Sequence, residues 1–142
     1  MGGNPSEPIR ILLVEDNPAD VRLTQENLKE VKLPTQLSVV KDGEDALAFL
    51  RRQGPYAQAA RPDFIFLDLH LPRKNGYEVL DEIHSDPTLQ NIPVAVCLDS
   101  AAEKYRLERY NLATECFFIK GFAPEQFQRI LTHCRGATNG KK

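Results

Sequence analysis

The sequence predicts an α/β domain in which a five-stranded parallel sheet is doubly wound by five helices. Apolar runs of strand length recur at Ile9 to Val14, Gln36 to Val40, Phe64 to Leu67, Val94 to Leu98 and Cys116 to Ile119. Each is followed by a longer mixed segment, which is the rhythm of β-α units. Several of the runs are continuous rather than alternating, as strands of a parallel sheet are when helices cover both faces.

The helices follow from their start and stop signals. Asn17-Pro18 opens the first, Val21, Leu23, Leu28 and Val31 supply its apolar stripe, and Leu33-Pro34 ends it. The second spans Gly43 to Arg52 with Ala46, Leu47, Phe49 and Leu50, and the third Gly76 to His84 with Tyr77, Val79, Leu80 and Ile83. Ala101 to Tyr110 and Pro124 to Cys134 complete the set. Gln53 to Pro62 and Ser85 to Pro93 read as loops, because Gly, Pro, Asp and Asn gather there. The domain is expected over residues 9–135, with residues 1–8 and 136–142 as flexible ends that have almost nothing to bury. The short tail leads us to expect a stand-alone module without an output domain.

The 142 residues suffice for one hydrophobic core without disulfides or structural metal. The formal net charge is -2, with both signs spread along the chain, so there is no basic stripe to follow a nucleic-acid backbone. Cys97, Cys116 and Cys134 lie far apart, which argues against a zinc site or a disulfide framework and fits a reduced cytoplasm. The first eight residues lack an apolar leader, and no later run approaches a membrane span. Direct DNA binding and membrane insertion are both disfavoured.

In open α/β sheets ligands bind beyond the carboxyl ends of the strands, near the reversal of strand order. The predicted strand ends there carry Glu15-Asp16, Asp68, Leu98-Asp99-Ser100 and Lys120. Crowded carboxylates repel, and a hard divalent cation relieves them. Mg²⁺ prefers one or two carboxylates together with waters and phosphate oxygens, which suits Asp16, Asp68 and a backbone carbonyl just after Asp68. A dication and the Lys120 ammonium would bring Glu15, Asp16 and Asp68 to neutrality. Asp68, between the apolar Phe64 to Leu67 run and the Leu71 to Gly76 loop, is the candidate nucleophile toward phosphorus.

From about Ile9 to Cys134 the chain resembles the response-regulator receiver family, whose fold is flavodoxin-like. The resemblance rests on Ile11-Leu12-Leu13-Val14-Glu15-Asp16-Asn17, on Asp63 to Pro72, on Gly76 and on Lys120, in family order. It implies that Glu15, Asp16, Asp68 and the His70 backbone carbonyl hold Mg²⁺ or Mn²⁺, that a histidine kinase phosphorylates Asp68, and that Lys120 contacts the phosphoryl group. It also implies a protein that catalyses only its own phosphorylation and dephosphorylation. The Leu71 to Leu80 stretch and Ile92-Pro93 are similar to stand-alone regulators of phytochrome-type kinases.

The chain departs from the family where switching is expected. Leu98 stands where receivers usually carry Thr or Ser, and a leucine cannot donate a hydrogen bond to a phosphoryl oxygen. Asp99 stands at a position that is normally small, Gly121 replaces the usual Pro, and Phe117 occupies the aromatic switch position without a hydroxyl. One neutral hydrogen bond is worth about 0.5–1.5 kcal/mol, less than charge-assisted contacts, so phosphorylation should survive while switching weakens. A degenerate receiver acting as a phosphorylation-independent binding or scaffold protein is the alternative.

Plainer readings stand beside these. Glu15-Asp16 alone reads equally well as a solvated turn, Asp99 as a helix cap, and Asp63 as a loop residue. His70, His84 and His133 read as solvated or structural, and the cysteines as small apolar residues. A metal-dependent phosphatase would want a second acid two residues after the nucleophile, where His70 stands, and no Gly-x-Gly-x-x-Gly follows the first strand. Tyr105, Arg106, Arg109, Tyr110 and Phe118 suit an interface, giving an expected homodimer through the fourth helix and fifth strand.

Overall fold

Continuous apolar strands need cover on both sides, and the arrangement of the chain provides it. In a computed structural model, residues 8–71, 73–100, 102–103, 105, 107, 117–119 and 125–132 are described. Strands β1 (Ile9–Val14), β2 (Thr35–Val40), β3 (Phe64–Asp68), β4 (Val94–Leu98) and β5 (Phe117–Ile119) form one sheet in the order β2-β1-β3-β4-β5. Every neighbouring pair is parallel. The predicted strands agree with these bounds to within a residue, Cys116 lying outside the described residues.

Alternate side chains of each strand feed two separate cores. Leu12, Val14, Ile65, Leu67, Val94 and Val96 meet Ala46 and Leu47 of helix α2 (Gly43–Leu50) and Val79, Leu80 and Ile83 of α3 (Gly76–Ser85). On the other face Ile11, Leu13, Phe64, Phe66 and Ala95 meet Leu28 of α1 (Pro18–Lys29) and Phe127, Ile130 and Leu131 of the helical residues 125–132. The Phe66 and Phe127 rings lie 4.5 Å apart between centroids. Burying each such side chain contributes about 1.5–3 kcal/mol, so the two faces together hold the layers in place.

Local chemistry sets the helix starts. Asn17 Oδ1 accepts from the Ala19 amide at 2.8 Å with Pro18 in the first turn, and Asp42 Oδ1 accepts from the Asp45 amide at 2.8 Å. Asn75 and Glu78 form a reciprocal capping box on α3, each side chain bonding the other's amide at 3.0 Å. Asp63 acts as a loop residue that pins β3 to β1, accepting from the Arg10 amide at 2.9 Å.

Some expectations are corrected. Leu23 does not join the buried stripe of α1 but is 42% exposed. Helix α2 stops at Leu50, and Arg52, predicted helical, takes a left-handed φ of 55°. The loop after it contains a 3-10 turn at Gly54–Tyr56. Of the predicted fourth helix, residues 102, 103, 105 and 107 are described and have 3-10 geometry. Arg106, Arg109, Tyr110, Gly121, His133, Cys134 and the side chain of Phe118 lie outside the described residues.

Charged side chains tie the loop after β3 to the helices beside it. Arg73, left-handed at φ 65°, is paired with Asp42 at 3.2 Å and Glu44 at 3.3 Å. The Lys74 ammonium pairs with Glu82, which also meets Arg51 at 3.2 Å. The hydrogen bond from Lys74, reinforced by Arg51, holds the Glu82 carboxyl below its ordinary 4.5. A depressed acid stabilises the fold above its unfolded value and loses that contribution as pH falls through its folded value. Glu82→Gln should therefore lower stability at neutral pH by under about 1 kcal/mol. The deficit relative to wild type should vanish in acid, as checked by urea melts across pH.

Candidate phosphoacceptor site

The chain runs from β1 outward to β2 and then crosses back to β3 on the other side of β1. The crevice above the β1–β3 boundary is therefore where the fold leaves room for a ligand. Glu15 and Asp16 leave β1, and Asp68 ends β3. Their carboxylate oxygens lie within 4.8 Å of one another. Glu15 is 4% and Asp68 3% exposed, whereas Asp16 faces solvent.

Backbone donors orient the two buried acids. Glu15 Oε2 accepts from the Asn17 amide at 3.2 Å, and Asp68 Oδ1 accepts from the His70 amide at 3.0 Å. Asn17 thus caps α1 with its side chain while its amide holds Glu15. Three carboxylates at this spacing, two of them almost out of water, are a poor arrangement for protein alone and a good oxygen set for a hard dication. The donor set fits Mg²⁺ or Mn²⁺.

Gly76 sets the floor of the site. A Cβ there would stand 2.5 Å from the Asp68 carbonyl oxygen and 2.5 Å from Leu69 Cα. Gly43 has the same role one step out, where a Cβ would stand 2.0 Å from the Lys74 carbonyl oxygen. The loop after Asp68 is thus clamped between the starts of α2 and α3.

The remaining predicted residues divide. Leu98 is fully buried and packs with Leu69, Val96 and Leu107, and half-buried Phe117 lies against the same core. Lys120 lies outside the described residues. Asp99 and His70 do what the sequence did not foretell. His70 Nε2 is 3.2 Å from Asp99 Oδ2 and 3.1 Å from Glu103 Oε2. The hydrogen bond to Glu103 raises the His70 pKa above 6.5, against a smaller opposing effect of burial. Glu103 escaped sequence reasoning altogether. The only signal was register: Asp68 pairs with Cys97, so the residues two beyond each, His70 and Asp99, fall side by side.

A sequence profile described as the response regulator receiver domain matches residues 11–132. The chain belongs to the response-regulator receiver family. This receiver is 44% identical over 120 residues to Response regulator Rcp1 of Synechocystis sp., covering 84% of the chain and 82% of Rcp1. Among solved structures, the bacteriophytochrome response regulator AtBRR matches with a TM-score of 0.81 at 34% identity, over 92% of this receiver and 94% of that chain. The phosphorylated cyanobacterial phytochrome response regulator RcpA matches at 0.72 and 43% identity, over 94% and 93%. The Mn²⁺-bound form of Rcp1 matches at 0.72 and 40% identity, over 94% of each. The receiver is thus similar to regulators of phytochromes, and divalent metal binding occurs in its family.

The contact at Gly76 makes a sharp expectation. Gly76→Ala must displace the Asp68 main chain or the helix, at a cost of about 1–3 kcal/mol. Thermal melts should show the loss, and Mg²⁺ affinity should fall with it.

Proposed function

We propose that the protein is a response regulator that accepts a phosphoryl group on Asp68 from a histidine kinase. The observation that carries this reading is the convergence of Glu15, Asp16 and Asp68 within 4.8 Å at the strand-order reversal. The similarity to Rcp1, AtBRR and RcpA favours a kinase of the phytochrome type.

Asp16, Asp68, Glu15 and the His70 carbonyl would hold the cation. Bound there, Mg²⁺ supplies positive charge to the oxygens of the group in transfer. Asp68 has the remaining chemistry. Its carboxylate, oriented by the His70 amide, attacks phosphorus, and the bond to the kinase histidine breaks with the electron pair returning to the imidazole. Near-complete burial lowers the solvation of this nucleophile. Lys120, carried over from the family resemblance, would contact the phosphoryl oxygens. Hydrolysis of the resulting acyl phosphate releases inorganic phosphate and restores Asp68, and on this reading the protein catalyses only its own phosphorylation and dephosphorylation. On this reading it works in the cytoplasm, which suits three cysteines without pairing spacing.

Leu98 bears on the consequence of phosphorylation. Its side chain belongs wholly to the core, so the hydroxyl that receivers use in switching has no counterpart at that position. We assign the departure to Leu98, Asp99 and Phe117 together and infer a weakened switch. Full burial of Leu98 also favours the second reading, a scaffold whose partner affinity ignores phosphorylation.

Incubation with Mg²⁺ and a small-molecule phosphodonor should add the mass of one phosphoryl group. Asp68→Asn should abolish the gain and Asp16→Asn should reduce it by about 10-fold or more, in line with weakened charge stabilisation. An unchanged mass in the wild type would leave only the scaffold.

Self-association belongs to the same proposal. Tyr105 is 76% and Ile119, on edge strand β5, 44% exposed. Large exposed apolar groups near a sheet edge suit an interface between two copies. Sedimentation velocity should show a dimer that Tyr105→Ser shifts toward monomer. A monomer at all concentrations would refute it.

A further inference from the structure

We propose that His70, Asp99 and Glu103 form a second cation site, separate from the acidic cluster, that takes a borderline transition-metal ion of the zinc class. The three side chains come from two neighbouring connections. His70 follows β3, and Asp99 and Glu103 follow β4, with the Glu103 amide bonded to the Ser100 carbonyl at 3.2 Å. Their donor atoms all lie within 4.8 Å of one another.

The spacing matches the chemistry of such an ion. Around a tetrahedral Zn²⁺ with donors at about 2.0–2.1 Å, adjacent donors stand about 3.3 Å apart. His70 Nε2 lies 3.2 Å from Asp99 Oδ2 and 3.1 Å from Glu103 Oε2. Only slight expansion is needed to admit the ion. One imidazole and two carboxylates also form a softer set than the three carboxylates next door. Imidazole suits Zn²⁺ and its neighbours, whereas an all-oxygen set suits Mg²⁺.

A second, independent observation points to a missing partner. Glu103 Oε1 is buried and has no hydrogen-bond partner among the described residues. A carboxylate oxygen withdrawn from water without a donor is costly. His70 engages only the other oxygen of that carboxylate. A cation held by both oxygens of the carboxylate would satisfy what the ion pair with His70 leaves unmet. Because His70 and Asp99 are about half exposed, the ion has access from solvent and keeps a position for water.

The site would fasten the β3–α3 connection to the segment after β4. His70 also donates its amide to Asp68 Oδ1 at 3.0 Å, so the fastened residue is one that orients the nucleophile. Phosphoryl uptake by Asp68 is measured separately, so either proposal can fail without the other.

The test is calorimetric titration of the full chain with Zn²⁺ while millimolar Mg²⁺ occupies the acidic cluster, with Co²⁺ absorption as a spectroscopic readout. A single site should appear, with a Co²⁺ spectrum of low coordination number. His70→Asn and Glu103→Gln should each weaken it by more than about 100-fold, beyond the cost of losing a group that only supports a ligand. Asp16→Asn should retain it. Circular dichroism checks folding, and either of the two ligand variants suffices if the other unfolds. No zinc binding, binding that survives loss of His70 or Glu103, or binding abolished by Asp16→Asn would each overturn the proposal.

Discussion

Glu15 and Asp68 leave adjacent central strands and are held almost entirely out of water, with the Asp16 carboxylate close by. The hydrophobic core does not require these charges, and gathering like charges is unfavourable in itself. Backbone amides from Asn17 and His70 hold them in place, and the two cores beneath supply the free energy that keeps the strand ends together. The site is therefore a place where stability is given up locally because packing elsewhere can sustain it.

The loop after Asp68 shows how that crowding is kept in register. Gly76 lets α3 start against the Asp68 carbonyl, and Gly43 lets α2 start against the Lys74 carbonyl. Arg73 accepts a left-handed backbone where its guanidinium reaches Asp42 and Glu44. Steric fit sets the height of the loop, and the ion pairs resist its lifting. Exposed pairs contribute little each, so most of the restraint lies in the two glycine contacts.

Much of this was legible in the sequence because it is local or periodic. The bounds of β1 and β4 follow from apolar runs, and the start of α1 follows from Asn17-Pro18. The acidic cluster was legible because a parallel sheet puts all its carboxyl ends on one edge, so order along the chain becomes proximity in space. Leu23 misled because an apolar residue within a helical stripe carries no label for which side of the stripe it occupies. The 3-10 geometry after β4 was equally hidden, since i+3 and i+4 spacing serve both helix types.

The association of His70 with Asp99 and Glu103 was illegible for a different reason. It depends on the register between β3 and β4, which pairs Asp68 with Cys97, and on a 3-10 turn that brings Glu103 back over the sheet edge. Neither can be read from spacing in one strand. The same geometry gives Asp99 a role that the resemblance alone made puzzling. A second acid near an incoming dianion would repel it, yet here the carboxylate is engaged by an imidazole. Its charge is partly answered by that contact. Leu98 and Asp99 then divide the work at the end of β4. The leucine is given to the core, and the connection after it is held by His70 through Asp99 and Glu103.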